Sequence, residues 1–401
     1  MNPRTTAIRF DRMELAGSLG DLGTLLPIAV GMIMVNGLSA TGLFLSVGLF
    51  YLVAGAYYGV PIAVQPMKVV GAYALATAAT ASQVTAAGWL LGAALLLLGS
   101  TGMMTRLSNM IPSSAVRGVQ LSTGLLLAGK GVAMVVGTTT YQKFLGRAEP
   151  ALLFQSIGPL PVGAVLGILA AVLIFRYLGS RKYPAALLVI GFGVLVGLLF
   201  GARHGLEGVR LGIYLPEAFP FVPTGTDLTY ALFAFVLPQL PMTLGNAVIA
   251  NADLSGTFFG PESRRVTPRA LCVSMGLANF LAAGVGGMPL CHGAGGLAAH
   301  YRFGARTAGS NLIIGAIFTG MAVLLGTGIL PVLDLLPLAV LGVLLFFAGT
   351  QLAMAIIDVK QRRDLLVVTG MAAIALSANL AWAFLAGIVM DRLLRTWNVS
   401  V

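Results

Sequence analysis

Charge is what this chain has least of. Lys, Arg, Asp and Glu together make up 9% of its 401 residues, whereas soluble domains carry about 25%. That scarcity excludes an ordinary water-soluble globule. Long polar stretches are missing too. The two longest, 137–160 and 204–227, are far short of the ~50 residues of even a small domain. Only two cysteines are present, Cys272 and Cys291, which excludes a disulfide framework and a cysteine metal cluster. No HExxH is present, and Gly293-Ala294-Gly295-Gly296 is not followed by the Gly-Lys-Ser/Thr of a phosphate-binding loop. No Ser-His-Asp constellation is apparent, so no enzyme, metal or cofactor is expected. The opening residues MNPRTTAIRFDRME lack an apolar run with a cleavage site. Residues 1–14 are expected to be a cytoplasmic tail.

What is abundant is apolar: 58% hydrophobic residues and a mean hydropathy of +0.93. A membrane span needs ~20 such residues. The pattern predicts an all-α integral membrane protein with about 14 spans: 15–36, 40–58, 61–80, 82–103, 112–136, 161–179, 184–203, 228–252, 268–286, 288–303, 307–330, 336–357, 364–378 and 379–396. With the N-terminus in the cytoplasm, Lys143, Arg147, Arg203 and Arg210 fall outside and Lys68, Arg117 and Lys130 fall within spans. The remaining seventeen of the 24 Lys and Arg fall inside. That bias follows the positive-inside rule and puts both termini in the cytoplasm. It also explains the net charge of +11 without a nucleic-acid partner, since the cations are scattered through short turns.

The 204–227 segment is expected to be an extracytoplasmic linker between two seven-span halves, 15–203 and 228–401. An odd number of spans per half inverts the second against the first, a common transporter plan with the substrate site at the repeat interface. A faint internal match agrees. Gly59-Val-Pro61-Ile62-Ala63-Val64 in span three resembles Gly287-Met-Pro289-Leu290-Cys291-His292 in span ten.

These two spans break early. Pro61 and Pro66 forbid regular helix up to about residue 66, and Pro289 and Gly293 do the same in span ten. Each is expected to be an extended strand feeding a half-helix. Broken backbone in a bilayer is tolerated where protein buries it or where it lines a cavity. Two half-helix N-termini facing each other would enclose an anion. That gives a reason for Lys68 in the first turn of a half-helix, where a cation is otherwise unfavourable. The alternative is that Lys68 pairs with Asp21 or reaches an interface. In span eight, Gln239, Thr243 and Asn246 fall at i, i+4 and i+7, one helical face, or they serve interhelical hydrogen bonds. In span one, Ser18, Asp21 and Thr24 are spaced by three. Asp21, a carboxylate deep in a span, is a candidate for proton coupling. His292 titrates near neutrality when unperturbed, yet a lone histidine beside glycines is more often structural.

At "GSLGDLGTLLPI", "VQPMK", "PQLPMTLGNAV" and "PLCHGAGGLAAHYRFGARTAGSN" the chain resembles the molybdate transporter family, related to the sulfate permeases and more distantly to the nucleobase permeases. The resemblance covers nearly the whole chain. It implies a seven-plus-seven inverted repeat with a core and a gate domain, interrupted at spans three and ten. It implies uptake of a tetrahedral oxyanion, molybdate or sulfate, across the cytoplasmic (inner) membrane. The implied site is Thr24, Gln65, Lys68, Gln239, Thr243, Asn246, His292, Gly293 and Ala294, with Asp21 coupling protons. Many sulfate permeases carry a regulatory domain after the last span, and the sequence is expected to have none. The nucleobase branch uses acidic residues in spans eight and ten, where this chain has amides and a histidine, which suit an anion better. The competing readings are an anion channel of the same fold and a nucleobase:proton symporter. Residue types do not choose between molybdate and sulfate, and a homodimer and a monomer both stay open.

Overall fold

A computed structural model describes residues 7–103, 111–180, 183–201, 206–207 and 209–397. Arg4, Arg106, Arg181, Lys182 and Arg203, counted in the charge bias, lie outside the described residues, as do 1–6 of the expected tail. The chain is mostly helical. Among the described residues, six helices are long and apolar enough to cross a membrane, or seven if a bent pair counts as one crossing. That pair is α1 (Arg12–Ser18) and α2 (Leu22–Asn36), which meet at 44°. Next come α3 (Ala40–Tyr58), α4 (Lys68–Thr77), α5 (Ala81–Thr101), α6 (Ser113–Val136), α7 (Val162–Tyr177) and α8 (Ala185–Phe200). They are followed by α9, a continuous run over Gly225–Ser263, then α10 (Pro268–Gly284), α11 (Ala294–Arg302) and α12 (Gly309–Leu325). The last are α13 (Leu338–Ala353), α14 (Arg362–Ser377) and α15 (Leu380–Thr396).

Helix ends are set locally. Asp11 caps α1 by accepting from the Met13 and Glu14 N–H groups at 2.8 and 3.0 Å. Thr80 and Gln83 form a reciprocal capping box on α5. Gly59 closes α3 with φ +73°, a left-handed turn that favours glycine. Arg12, Met13 and Glu14 of the expected 1–14 tail belong to α1. Glu14 is fully buried. Its carboxylate accepts from the N–H groups of Arg306, Thr307 and Ser310 and from the Thr307 hydroxyl, tying α1 to the start of α12.

Helices early in the chain pack against helices late in it: α6 along α13, α5 along α10 and α3 along α12. Glycines permit the close approach, as where Gly131 and Gly342 face each other's backbone. The extended breaks expected in spans three and ten are present as strands. β1 (Gln65–Pro66) pairs antiparallel with the strand Leu290–Cys291, Gln65 opposite Cys291 and Pro66 opposite Leu290. Met67 N–H donates to the Pro289 carbonyl at 2.9 Å. Asn279 from α10 seals the far edge, accepting from Leu290 N–H and donating to its carbonyl. The half-helices begin just beyond this pair, at Lys68 and Ala294.

Candidate functional site

Asp21 lies in the break between α1 and α2 and is buried. Its Oδ2 accepts from Gln65 Nε2 at 2.6 Å. Both side chains press on the N-terminus of α11. A Cβ on Gly293 would collide with Gln65 Oε1. One on Gly296 would come to 2.7 Å from Asp21 Oδ2 and 2.8 Å from Gln65 Nε2. Glycine is therefore required there by contact with side chains. Gly295 faces open space.

That space is a cavity of about 340 Å³ whose lining includes Asp21, Thr24, Gln65, Lys68, Gly295 and Gln351. It adjoins a chamber of about 190 Å³ that shares Thr24, Lys68, Gly295 and Gln351. Arg302 at the C-terminal end of α11 also borders the larger cavity and donates to the Gly179 carbonyl at 3.0 Å. Lys68 has no ion-pair partner among the described residues, so the expected alternative of a direct pair with Asp21 does not hold at 4 Å. Among the described residues no side chain caps α11, and Gly295 in its first turn lines the cavity. Gln65 Oε1 is buried and accepts no hydrogen bond. The cavity thus combines an ammonium with a guanidinium at its border, two primary amides, a hydroxyl, a helix N-terminus and a buried carboxylate. All but the last favour an anion; the carboxylate opposes one unless it is protonated.

The other expected site residues lie elsewhere. Gln239 Oε1 accepts from Val69 and Val70 N–H at 3.0 and 3.3 Å, and its Nε2 donates to Thr243 Oγ1 at 2.9 Å. Both residues are buried; Gln239, held by Thr243, caps α4, so two of that half-helix's N–H groups are already occupied. Asn246 is not on their face. It borders a separate cavity with Arg117 and Gln120. The reason is the helix itself. Residues 243–250 form π-helical turns after Pro238 and Pro241, and an extra residue per turn rotates Asn246 away from the α-helical register. His292 points behind the site. Its ring bonds Ala63 O at 2.9 Å and Ser274 Oγ at 3.0 Å, and it packs on Phe50. Gly293 and Ala294 begin α11 but do not line the cavity, which Gly295 does. Gln351 was missed, although a lone amide in the apolar run 336–357 is a recognisable signal.

A model described as "Molybdate transporter of MFS superfamily" matches residues 13–127 and 231–352. The chain belongs to the molybdate transporter family. Molybdate transporter 2 of Arabidopsis thaliana is 32% identical, over 95% of this chain and 87% of that protein. Molybdate transporter 1 of Chlamydomonas reinhardtii is 28% identical, over 96% and 92%. These family members are named transporters, not enzymes. In fold the chain is similar to the transmembrane domain of the cyanobacterium bicarbonate transporter BicA, with TM-score 0.62, 16% identity and coverage of 95% and 97%. It is also similar to the murine Solute Carrier 26 family member A9 anion transporter in the inward-facing state, with TM-score 0.66, 14% identity and coverage of 96% and 68%. The family and this fold together make the chain an integral membrane protein of anion transport.

Proposed function

We propose that this protein takes up molybdate, with sulfate as the competing dianion, as a secondary active transporter of the cytoplasmic membrane. The observation that carries the reading is the meeting of Lys68, Gln65, Thr24 and the uncapped α11 N-terminus in one cavity beside Asp21. Lys68, Arg302 at the cavity's border and one helix end, worth about half a charge, hold a dianion, and an ionised Asp21 offsets one of those charges, which suits a carrier that must release it. Asp21 is the proton-coupling group: protonated, it lets Gln65 and Lys68 face the anion, and ionised, it expels it.

The same proposal includes fourteen spans in two inverted seven-span halves, with both ends cytoplasmic. Its support is the pattern of contacts. Numbering spans within each half, the second and fourth spans of one half pack on the fourth and second of the other, and the two fifth spans pack on each other. The third spans meet through the paired strands. Exchange of the halves preserves every one of these contacts. The two stretches matched by the family model also fall one in each half. Helices α6, α7, α8, α13, α14 and α15 then act as the gate against which the remaining core moves in alternating access.

The test is uptake into proteoliposomes. Molybdate accumulation should saturate, be inhibited by sulfate, be unaffected by uracil, and stop when the pH gradient is collapsed. Linear flux indifferent to the gradient would mean a channel.

A further inference from the structure

A larger cavity, about 570 Å³, lies between α3 and α10 and shares no lining residue with the anion site. Its walls are two matching helical stripes. On α10 these are Ala270, Val273, Leu277 and Leu281, and on α3 they include Val53 and Tyr57. Val53, Tyr57 and Leu277 are each at least half exposed, so the groove opens sideways, toward where the hydrocarbon of the bilayer must be.

One end of the groove is cationic. Arg269 lines it. Arg265 donates to the carbonyl of Tyr57, a lining residue, at 2.9 Å. Neither arginine has an ion-pair partner among the described residues. The other end is apolar. Leu281 is twelve residues beyond Arg269 on the same helix, a rise of about 18 Å. One leaflet of hydrocarbon is about 15 Å thick, half of the bilayer core. The groove therefore has the length of a single leaflet, with positive charge at its headgroup end only.

We propose that this groove is a binding site for an anionic glycerophospholipid, an acyl chain lying along α3 and α10 and the phosphate resting on Arg265 and Arg269. Its floor carries the few polar groups of the lining. Tyr58 Oη lies 2.8 Å from Ser274 Oγ, which bonds His292 Nε2. His292 directly precedes Gly293 at the start of α11. An acyl chain keeps bulk water from this network, which holds the strand pair behind the anion site.

The readout is bound lipid mass, which does not depend on what the protein transports. Purified full-length protein is equilibrated with equal amounts of phosphatidylglycerol and phosphatidylcholine, and retained lipid is measured by native mass spectrometry. Phosphatidylglycerol should be retained preferentially, by about fivefold for each arginine. Arg265→Gln with Arg269→Gln should abolish the preference while leaving the melting midpoint in place. Ala270→Trp, which fills the groove beneath the headgroup end, should lower the number of retained lipids of either kind. Equal retention by the parent, or a preference that survives the double arginine substitution, would overturn the proposal. So would an unchanged lipid count in a folded Ala270→Trp protein. Should the tryptophan variant not fold, the arginine comparison alone decides.

Discussion

Replacing Lys68 by Met tests the anion site most directly. Lys68 opens α4, is half-buried, and faces the cavity without an ion-pair partner among the described residues. No ion pair within 4 Å ties it to Asp21, so its ammonium is open to a dianion entering the cavity. A charge-assisted hydrogen bond contributes about 1.5–3 kcal/mol, so its loss should weaken binding by roughly ten- to a hundredfold. Partial exposure of the side chain favours the lower end. Methionine preserves the length and apolar stem, and the α4 cap from Gln239 is untouched, since it engages the Val69 and Val70 backbone. The fold should survive. The assay is molybdate titration of purified protein by calorimetry, with Lys68→Arg as the charge-preserving comparison. Binding by Lys68→Met as tight as the parent would refute the reasoning and move the site away from α4.

Four further outcomes are expected. Asp21→Asn should retain molybdate exchange across proteoliposomes yet lose uphill accumulation; concentrative uptake equal to the parent would remove Asp21 from coupling. Gly293→Ala drives a methyl into Gln65, so binding should fall by at least as much as in Gln65→Leu, and unchanged affinity would show that the strand pair yields instead. Glu149, in the loop before α7, is buried and accepts from Leu338 and Ala339 N–H at 2.8 and 2.7 Å. Burial pushes its carboxyl up to about 7 against the pull of those N–H groups. The folded state then holds a proton that the unfolded chain has released, so its contribution to stability declines as pH rises from about 4.5 to about 7. Glu149→Gln should flatten that part of the melting-midpoint profile; an identical slope would show that other groups set it. Val222→Cys, in the exposed segment before α9, should react with an impermeant thiol reagent from outside intact cells. Labelling only after permeabilisation would invert the proposed topology.

Composition alone determined that this chain lives in a membrane, because 9% charge over 401 residues cannot cover a soluble surface. The two broken spans were equally legible. Pro61, Pro66 and Pro289, set beside Gly59, Gly287 and Gly293, point to extended chain without knowledge of any partner, whereas Pro27, Pro238 and Pro241, within long apolar runs, are carried inside helices. Helix limits such as 113–136 and 380–396 followed from the apolar runs and the glycines and prolines that close them. Which polar side chains share a cavity was a different matter. Equal spacing placed Gln239, Thr243 and Asn246 on one face, but prolines and π-helical turns rotated Asn246 away. Gln239 found nearer acceptor work at the start of α4. His292, suspected of lining the site, turned to Ala63 and Ser274, because a buried ring must satisfy both nitrogens where partners lie within reach. Gln351 entered the cavity from a helix far along the chain. A span's sequence shows that a polar residue is present; its direction depends on helices packed from elsewhere in the chain, and on which donor or acceptor they bring within about 3 Å.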